Sequence, residues 1–360
     1  MTCPRERGAP PAAELYARRV RSVADATGAV CAPCPVCGDV SAALRFEVEG
    51  VAARVVVCDG CGLGRFHPML GAEEIRDLYP EEYYGEPGVK FQPLVERIVR
   101  LVGERHIGFL SRGLAPGARV LDVGCGRGVI LGALADRGLE VHGIELSAAA
   151  ACGADQRAEI RIVSRLADAG YPEAHFDEVV IWHVLEHLQD PRGTVEEARR
   201  ILRPRGRLIV AVPNFASAQA RWSGAGWFHL DLPRHLYHFP LSALRRLLED
   251  AGFDVSAAHH FSLRQNPFGW IQSALNRIPW LPRNGVYTLL QRRGGPPPYD
   301  AWTRACLWAG LVLTTPFALV ATLVETLART GATVHVVGVR RPDPQVASEA
   351  LPTREASSPA

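Results

Sequence analysis

Three stretches of the chain, and one set of cysteines, combine residue types and spacings that can do chemistry. The first stretch is Val120-Leu121-Asp122-Val123-Gly124-Cys125-Gly126-Arg127-Gly128, an apolar run that ends in a glycine-rich turn. Glycines at alternate positions let the backbone approach a ligand closely and turn amide donors toward it. A dinucleotide turn wants G-x-G-x-x-G, but the place of the third glycine holds Val129, so a pyrophosphate ligand is disfavoured. Glu145 ends the next apolar run after that turn. A carboxylate at that place can accept both hydroxyls of a ribose.

The second stretch, His183-Val184-Leu185-Glu186-His187, spells the H-x-x-E-H pattern of inverted zinc proteases. On a helix, His183 and His187 would share a face and could bind zinc. The pattern follows directly on the strand-like DEVVIW at 177–182, which argues against a protease. The third stretch is the aromatic and histidine-rich ARWSGAGWFHLDLPRHLYHFP from Ala220 to Pro240. A histidine can take a proton from a hydroxyl near neutral pH. His235 is the expected base and His238 the second choice. The alternative is that either ring caps the helical pattern LSALRRLLEDAG that follows.

The pairs Cys34-x2-Cys37 and Cys58-x2-Cys61 are separated by the interval usual for a zinc site. Four thiolates close a tetrahedral shell, so the expected zinc is structural; redox pairs are the alternative. Gly38 and Gly62 follow the two pairs, and the FEVEG and ARVVV runs between them suit a short hairpin. Cys31 is left over as a free thiol. The segment has no lysine and few arginines, so it lacks the phosphate footprint of a nucleic-acid binder.

The elements that must position these groups are legible in the apolar runs. Strand candidates fall at 118–123, 139–145, 158–163, 177–182, 206–212, 253–261 and 332–340, with helical patterns between most of them. That alternation implies βαβ units and a parallel sheet. With 360 residues, 48% hydrophobic and 22% charged, the chain can bury a sizeable core. A net charge of +2 argues against a dedicated nucleic-acid partner. Five of the nine cysteines lie between Cys31 and Cys61, and no apolar run opens the chain, so a reducing, cytoplasmic setting is expected.

The expected organisation is a disordered leader at 1–28, the cysteine module at 31–66 and a helical linker at 70–117. An α/β domain follows at 118–262 and resumes at 331–341, interrupted by an apolar and basic insertion at 263–330; a disordered tail occupies 342–360. Within the insertion, Ala305–Val324 carries no charge and is long enough to cross a bilayer. A full crossing would strand the last β-run on the far side of the membrane. A re-entrant hairpin or interfacial helix pair bent at Pro316 avoids that, with burial or a homodimer interface as the alternative. Residues 263–304 hold six arginines, one acid and Trp270, Trp280 and Trp302, flanks that suit an anionic headgroup layer.

Taken together, LDVGCGRG, VHGIELS, FDEVVIWHVLEHLQDP and ARRILRPRGRLIVAVPN resemble the ordered motifs of class I S-adenosylmethionine-dependent methyltransferases, in particular the bacterial group of ubiquinone-pathway O-methyltransferases. The resemblance covers about residues 118–261 and the last strand. It implies a doubly wound, seven-stranded Rossmann-like methyltransferase sheet, preceded by a zinc-ribbon module similar to those in front of many bacterial methyltransferases. It also implies S-adenosylmethionine as cofactor. Asp122 and Gly124 would face its methionine part, Cys125, Gly126 and Gly128 would line the turn, Glu145 would bind the ribose and Leu146 would pack on the adenine. Leu166 would meet the adenine through its main chain, His183 would line the cofactor, and Tyr84 would close over it. Glu186 and His187 would border the acceptor pocket, or serve only to hold the loop.

The expected activity is methyl transfer to oxygen, less readily to carbon, on a lipid-linked, saccharide or quinone-like small molecule. The expected location is the cytoplasm, at the inner face of the cell membrane if the insertion makes monotopic contact. A nicotinamide-dependent oxidoreductase is the competing enzyme reading, and a non-catalytic membrane-associated scaffold the competing non-enzyme reading.

Overall fold

The computed structural model describes residues 32–48, 51–78, 105–152, 154–291 and 298–342. Tyr84, Cys31, most of the expected linker, the leader and nearly all of the tail lie outside the described residues.

The large sheet has seven strands: β4 (Arg119–Val123), β5 (Glu140–Glu145), β6 (Glu159–Ile162), β7 (Phe176–Trp182), β8 (Leu202–Pro213), β10 (Phe253–His259) and β11 (Thr333–Arg340). Their order is β10-β11-β8-β7-β4-β5-β6, parallel from β8 to β6, with β11 antiparallel to both β8 and β10. The order reverses between β4 and β7. That switch point is where doubly wound sheets open a crevice beyond the strand ends.

Side chains alternate across the sheet. Val120, Val141, Val180 and Ile209 pack on one face with α2 (Val129–Ala135) and the helical residues 105–110. Leu121, Val179, Ile181, Leu208 and Val210 pack on the other. That face is covered by α3 (Pro191–Ile201) and α5 (Leu241–Asp250), through Val195, Ala198 and Ile201 and through Leu244, Leu247 and Leu248. Burial on both faces explains why these strands read as nearly continuous apolar runs. The sequence QDP starts α3 cleanly: Pro191 occupies the first turn, and the Asp190 carboxylate accepts the Gly193 amide at 2.8 Å.

The small sheet has the order β1 (Ala42–Val48), β2 (Val51–Cys58), β3 (Gly64–His67), β9 (Tyr237–His238), antiparallel throughout, and the short α1 (Ala72–Asp77) follows β3. Its fourth strand comes from the histidine-rich loop after β8. The cysteine hairpin therefore shares its sheet with that loop. Gly64 pairs with His238 and Arg65 with Tyr237. The loop's Leu236 carbonyl accepts the Phe66 amide at 2.8 Å, and Arg192 of α3 donates to the Pro35 and Val36 carbonyls at 2.8 and 2.7 Å.

Around the 263–330 insertion, α6 (Asn266–Leu275), α7 (Gly285–Leu290) and the 27-residue α8 (Ala301–Leu327) pack through Trp270, Ile271, Leu275, Val286, Leu289, Leu307 and Ala318. The expected bend at Pro316 is not a hairpin: α8 is one continuous helix with Pro316 inside it. The Thr314 and Thr315 hydroxyls donate to the Gly310 and Leu311 carbonyls one turn back, at 2.7 and 2.6 Å. A proline removes only one backbone donor, and a helix this long keeps bonds on both sides of the gap.

Candidate functional site

The glycine turn sits at the end of β4, on the switch point. Gly124, Gly126 and Gly128 have φ of +71°, +50° and +65°, the left-handed region open mainly to glycine. They differ in what surrounds them. A Cβ on Gly124 would lie 2.6 Å from Val184 Cγ2, and one on Gly128 would lie 2.9 Å from Ala154 Cβ. Among the described residues, a Cβ on Gly126 would meet no atom within 4 Å, so they leave space over the turn there.

Two carboxylates converge on this turn. Glu145, the last residue of β5, accepts the Gly126 amide at 2.8 Å and the Leu146 amide at 2.7 Å. Asp122 is 2% exposed, and burial, with the Glu145 charge beside it, pushes its carboxyl up to about 7. A buried acid held close to neutrality next to a second acid favours a cationic or hydroxyl-donating ligand. Leu146 is 38% exposed and forms an apolar ledge beside Glu145.

Two other residues of the expected cofactor set turn inward. The Cys125 side chain is buried against Gly143, leaving its backbone to line the turn. The Leu166 side chain joins the core at the start of a short 3-10 turn, Leu166–Ala169, which leaves its main chain as the part able to meet a ligand. Arg165 and Asp168 pair across that turn at 2.7 Å.

The H-x-x-E-H run does not form a helix with His183 and His187 on one face. His183 has φ +55° and leaves β7, and Leu185–His187 is one 3-10 turn. The inverted zinc-protease geometry is therefore absent. His183 Nδ1 instead faces Glu186 Oε1 at 3.3 Å. Glu186 is 1% exposed, and its Oε2 has no hydrogen-bond partner among the described residues. Burial alone would raise this carboxyl, yet the His183 contact and the His187 and His235 rings bring it down to about 2.

The loop histidines close over this turn. The His187 and His235 rings meet edge to face at 4.6 Å, and Leu236 donates its amide to the Glu186 carbonyl at 2.8 Å. His187 Nδ1 donates to the Arg234 carbonyl at 3.0 Å and His235 Nδ1 to the His229 carbonyl at 2.8 Å. Burial, then the His235 ring, lowers His187 to about 4 and His238 to about 3. His238 is in β9, so it caps no helix; Pro240 holds that place ahead of α5.

Asp231 and His229 escaped the sequence reading although the quoted loop contained both. Arg234 pairs with Asp231, and it and His235 hold that half-buried carboxyl low against the opposing effect of desolvation. His229 is buried beneath the loop and pushed down to about 3. The signal available was H-x-D-x-x-R-H, a carboxylate within one turn of two bases.

In the cysteine cluster, Cys34 Sγ lies 3.5 Å from Cys61 Sγ, and Cys37 Sγ lies 3.4 Å from Cys58 Sγ. One sulfur from each of the four stands within 4.8 Å of the others. A tetrahedral zinc–thiolate shell has sulfur edges of about 3.8 Å, so the four fit one small ion. Gly38 and Gly62 take φ of +78° and +74° after each pair and return their amides to the Cys34 and Cys58 carbonyls.

The methyltransferase-domain family matches this chain over residues 96–258. The ubiquinone biosynthesis O-methyltransferase of Alkalilimnicola ehrlichii is 38% identical over 107 residues, covering 27% of this chain and 42% of that protein. The protein of that name from Paracidovorax citrulli is 35% identical over 35% of this chain and 54% of its own length. The one from Leptothrix cholodnii is 32% identical over 54% of this chain and 84% of its own length. The chain thus spans about half the length of the first two relatives and most of the third.

Proposed function

This chain belongs to the S-adenosylmethionine-dependent methyltransferases, and from that premise we propose that it moves a methyl group onto a hydroxyl oxygen of a small acceptor that reaches it from a membrane. The observation that carries this reading is the convergence of Asp122, Glu145 and the open space over Gly126 directly beside the histidine cluster. Val184, which touches the position of a Gly124 Cβ, lies two residues before Glu186. Donor and acceptor chemistry are then adjacent.

The cofactor supplies an electrophilic methyl on a sulfonium. The chain supplies alignment and exclusion of water, the main contributions an enzyme makes to an in-line displacement. Glu145 holds hydroxyls of the nucleoside, Asp122 faces the cationic methionine end, and Leu146 and the Leu166 main chain border the base. His183 lines the cofactor. His235 is the group that meets the acceptor's proton: with Nδ1 donating to a carbonyl, its neutral ring carries the lone pair on Nε2. Burial lowers His238 to about 3. The four cysteines hold a structural zinc, which fits a closed shell of thiolates.

The membrane part of the reading rests on α8. Leu313 and Val320 are 77% and 63% exposed, and Val312, Phe317, Leu323, Val324 and Leu327 are exposed with them. An apolar surface of this extent marks an interaction site. The helix connects to the acceptor loop: Trp222, on the short α4 (Ala218–Ser223) that opens that loop, packs on Trp270 and Phe317 at 5.5 and 6.4 Å. Arg277 lies over Trp222 at 4.6 Å, a cation beside a tryptophan, as at an anionic headgroup layer. Because α8 returns to β11 in the same sheet, the helix lies in the interface and does not span it. The acceptor is accordingly lipid-linked or quinone-like, met at the inner face of the cell membrane.

The test is turnover. Purified protein with S-adenosylmethionine and a membrane lipid extract should release S-adenosylhomocysteine, and a delipidated extract should not support it. Release without any acceptor dependence, or none with any extract, rejects the proposal.

A further inference from the structure

We infer that a row of imidazoles beside the glycine turn binds an oxyanion, a carboxylate or phosphate carried by the methyl acceptor. Strand register sets the row. Trp182 lies opposite Ala211, Ala211 opposite His335, and His335 opposite His259, so the four side chains share one face of the large sheet. Ile181, one residue earlier, lies opposite Val123, the last residue of β4. The row is therefore level with Gly124, at the end of the sheet where doubly wound folds hold ligands. His106, from the helical residues 105–110, closes over it. Its ring centroid lies 3.6 Å from that of Trp182, and the His335 ring lies 4.4 Å from the same indole.

Packing alone does not account for His106 and His335. Among the described residues, the Nε2 of each is buried with no hydrogen-bond partner. A buried polar atom without a partner is costly, and two of them on rings flanking one indole mark a place for a polar guest.

The neighbours set the charge of that guest. Burial lowers both rings, His106 to about 3 and His335 well below its ordinary value, so the empty row is neutral. The groups that lower them further are basic: Arg264 and His183 act on His106, and His183, His106, His259 and His260 act on His335. Glu186, which meets His183 at Nδ1 (3.3 Å), is not among these. A neutral imidazole still donates one N–H, and basic surroundings favour an acceptor that is itself negative. His259 is exposed, so the row opens to solvent at that end.

The anion site stands on these contacts alone. That its occupant belongs to the acceptor rests on the function proposed above, and it adds a negative group to the lipid-linked or quinone-like molecule. The competing source is the carboxylate of the methyl donor.

The test titrates the full chain with inorganic phosphate while NMR follows the imidazole nitrogens, first alone and then with saturating S-adenosylhomocysteine. Saturable shifts at His106 and His335 are expected in both conditions. His106→Phe and His335→Phe each keep a ring against Trp182. Each should weaken phosphate binding by about tenfold or more, the effect of losing a hydrogen bond to a charged group. Phosphate should also slow turnover of a membrane lipid extract by raising its apparent KM while kcat holds. Absence of shifts at both rings, or phosphate binding that both variants leave unchanged, overturns the proposal. So does turnover indifferent to bound phosphate, or displacement of phosphate by S-adenosylhomocysteine, which would assign the anion to the donor. Should the variants fail to fold, the titrations of the unaltered chain decide alone. Phosphate binding at both rings in a chain that neither binds S-adenosylhomocysteine nor transfers methyl would sink the function above and leave the anion site standing.

Discussion

Gly64 of the cysteine hairpin lies directly opposite His238 of the acceptor loop in the β3–β9 ladder, and a Cβ on Gly64 would come within 2.9 Å of the His238 Cβ. The loop that carries His235 is thus ordered partly by a sheet whose other strands are tied together by four cysteines. Losing the cluster should therefore be felt at the acceptor side before it is felt at the cofactor.

Cys61→Ser should lower the melting temperature by several degrees and reduce methyl transfer by more than tenfold, while affinity for S-adenosylmethionine falls less than threefold. Loss of a structural metal is among the few changes that cost several kcal/mol at once. Calorimetric titration beside a turnover assay separates the two effects. Equal losses in both would contradict the coupling.

The turn glycines should respond differently to alanine. Gly124→Ala meets Val184 at 2.6 Å as well as a left-handed backbone, and should destabilise the fold broadly. Gly126→Ala meets no atom of the described residues, so its stability cost should be about 1–2 kcal/mol, that of the strained backbone alone. Its main effect should be on cofactor affinity, by tenfold or more. Thermal melts with and without S-adenosylmethionine make the comparison.

Asp122 gives a pH signature. Its folded value of about 7 lies above the unfolded 3.8, so the proton is bound more tightly in the native state. Stability from this group is full below pH 3.8 and is lost as pH rises through about 7. Asp122→Asn should therefore raise the melting temperature of the ligand-free protein above pH 7 and leave it nearly unchanged near pH 4. A cationic ligand that favours the carboxylate should release protons on binding near pH 7, measurable by calorimetry in buffers of different ionisation enthalpy.

His106 and His229 give the opposite slope. Burial lowers both to about 3, below the ordinary 6.5, so they fold neutral. Their contribution is present above pH 6.5 and lost as pH falls toward 3. The double variant His106→Gln, His229→Gln should flatten the acid limb of a stability–pH curve.

Leu313→Glu with Val320→Glu should abolish binding to vesicles rich in anionic lipid. The melting temperature should shift little, because both side chains already face outward. Retained vesicle binding would reject contact through this face of α8, and a dimer that dissociates instead would assign the face to a second copy.

The large sheet could be read from the chain because its strands are buried on two faces and announce themselves as apolar runs. The Asp122–Gly128 turn and Glu145 could be read because their geometry is local to one βαβ unit. The convergence of Glu186 and His187 with His235 could not: the third side chain arrives from the separate loop after β8, held by carbonyl contacts that leave no pattern. A two-residue strand such as Tyr237–His238 carries no periodicity, so its pairing with Gly64 and Arg65 was equally silent. Pro316 suggested a bend that the length of α8 overrode.

The central claim is that the turn closed by Gly126 and Glu145 holds a sulfonium nucleoside. Calorimetric titration of the purified chain with S-adenosylmethionine, with NAD as control, tests it most directly. One-to-one binding of S-adenosylmethionine is expected, with none of NAD and at least tenfold weaker binding in Glu145→Ala. No heat with S-adenosylmethionine, or affinity undiminished in that variant, would contradict it.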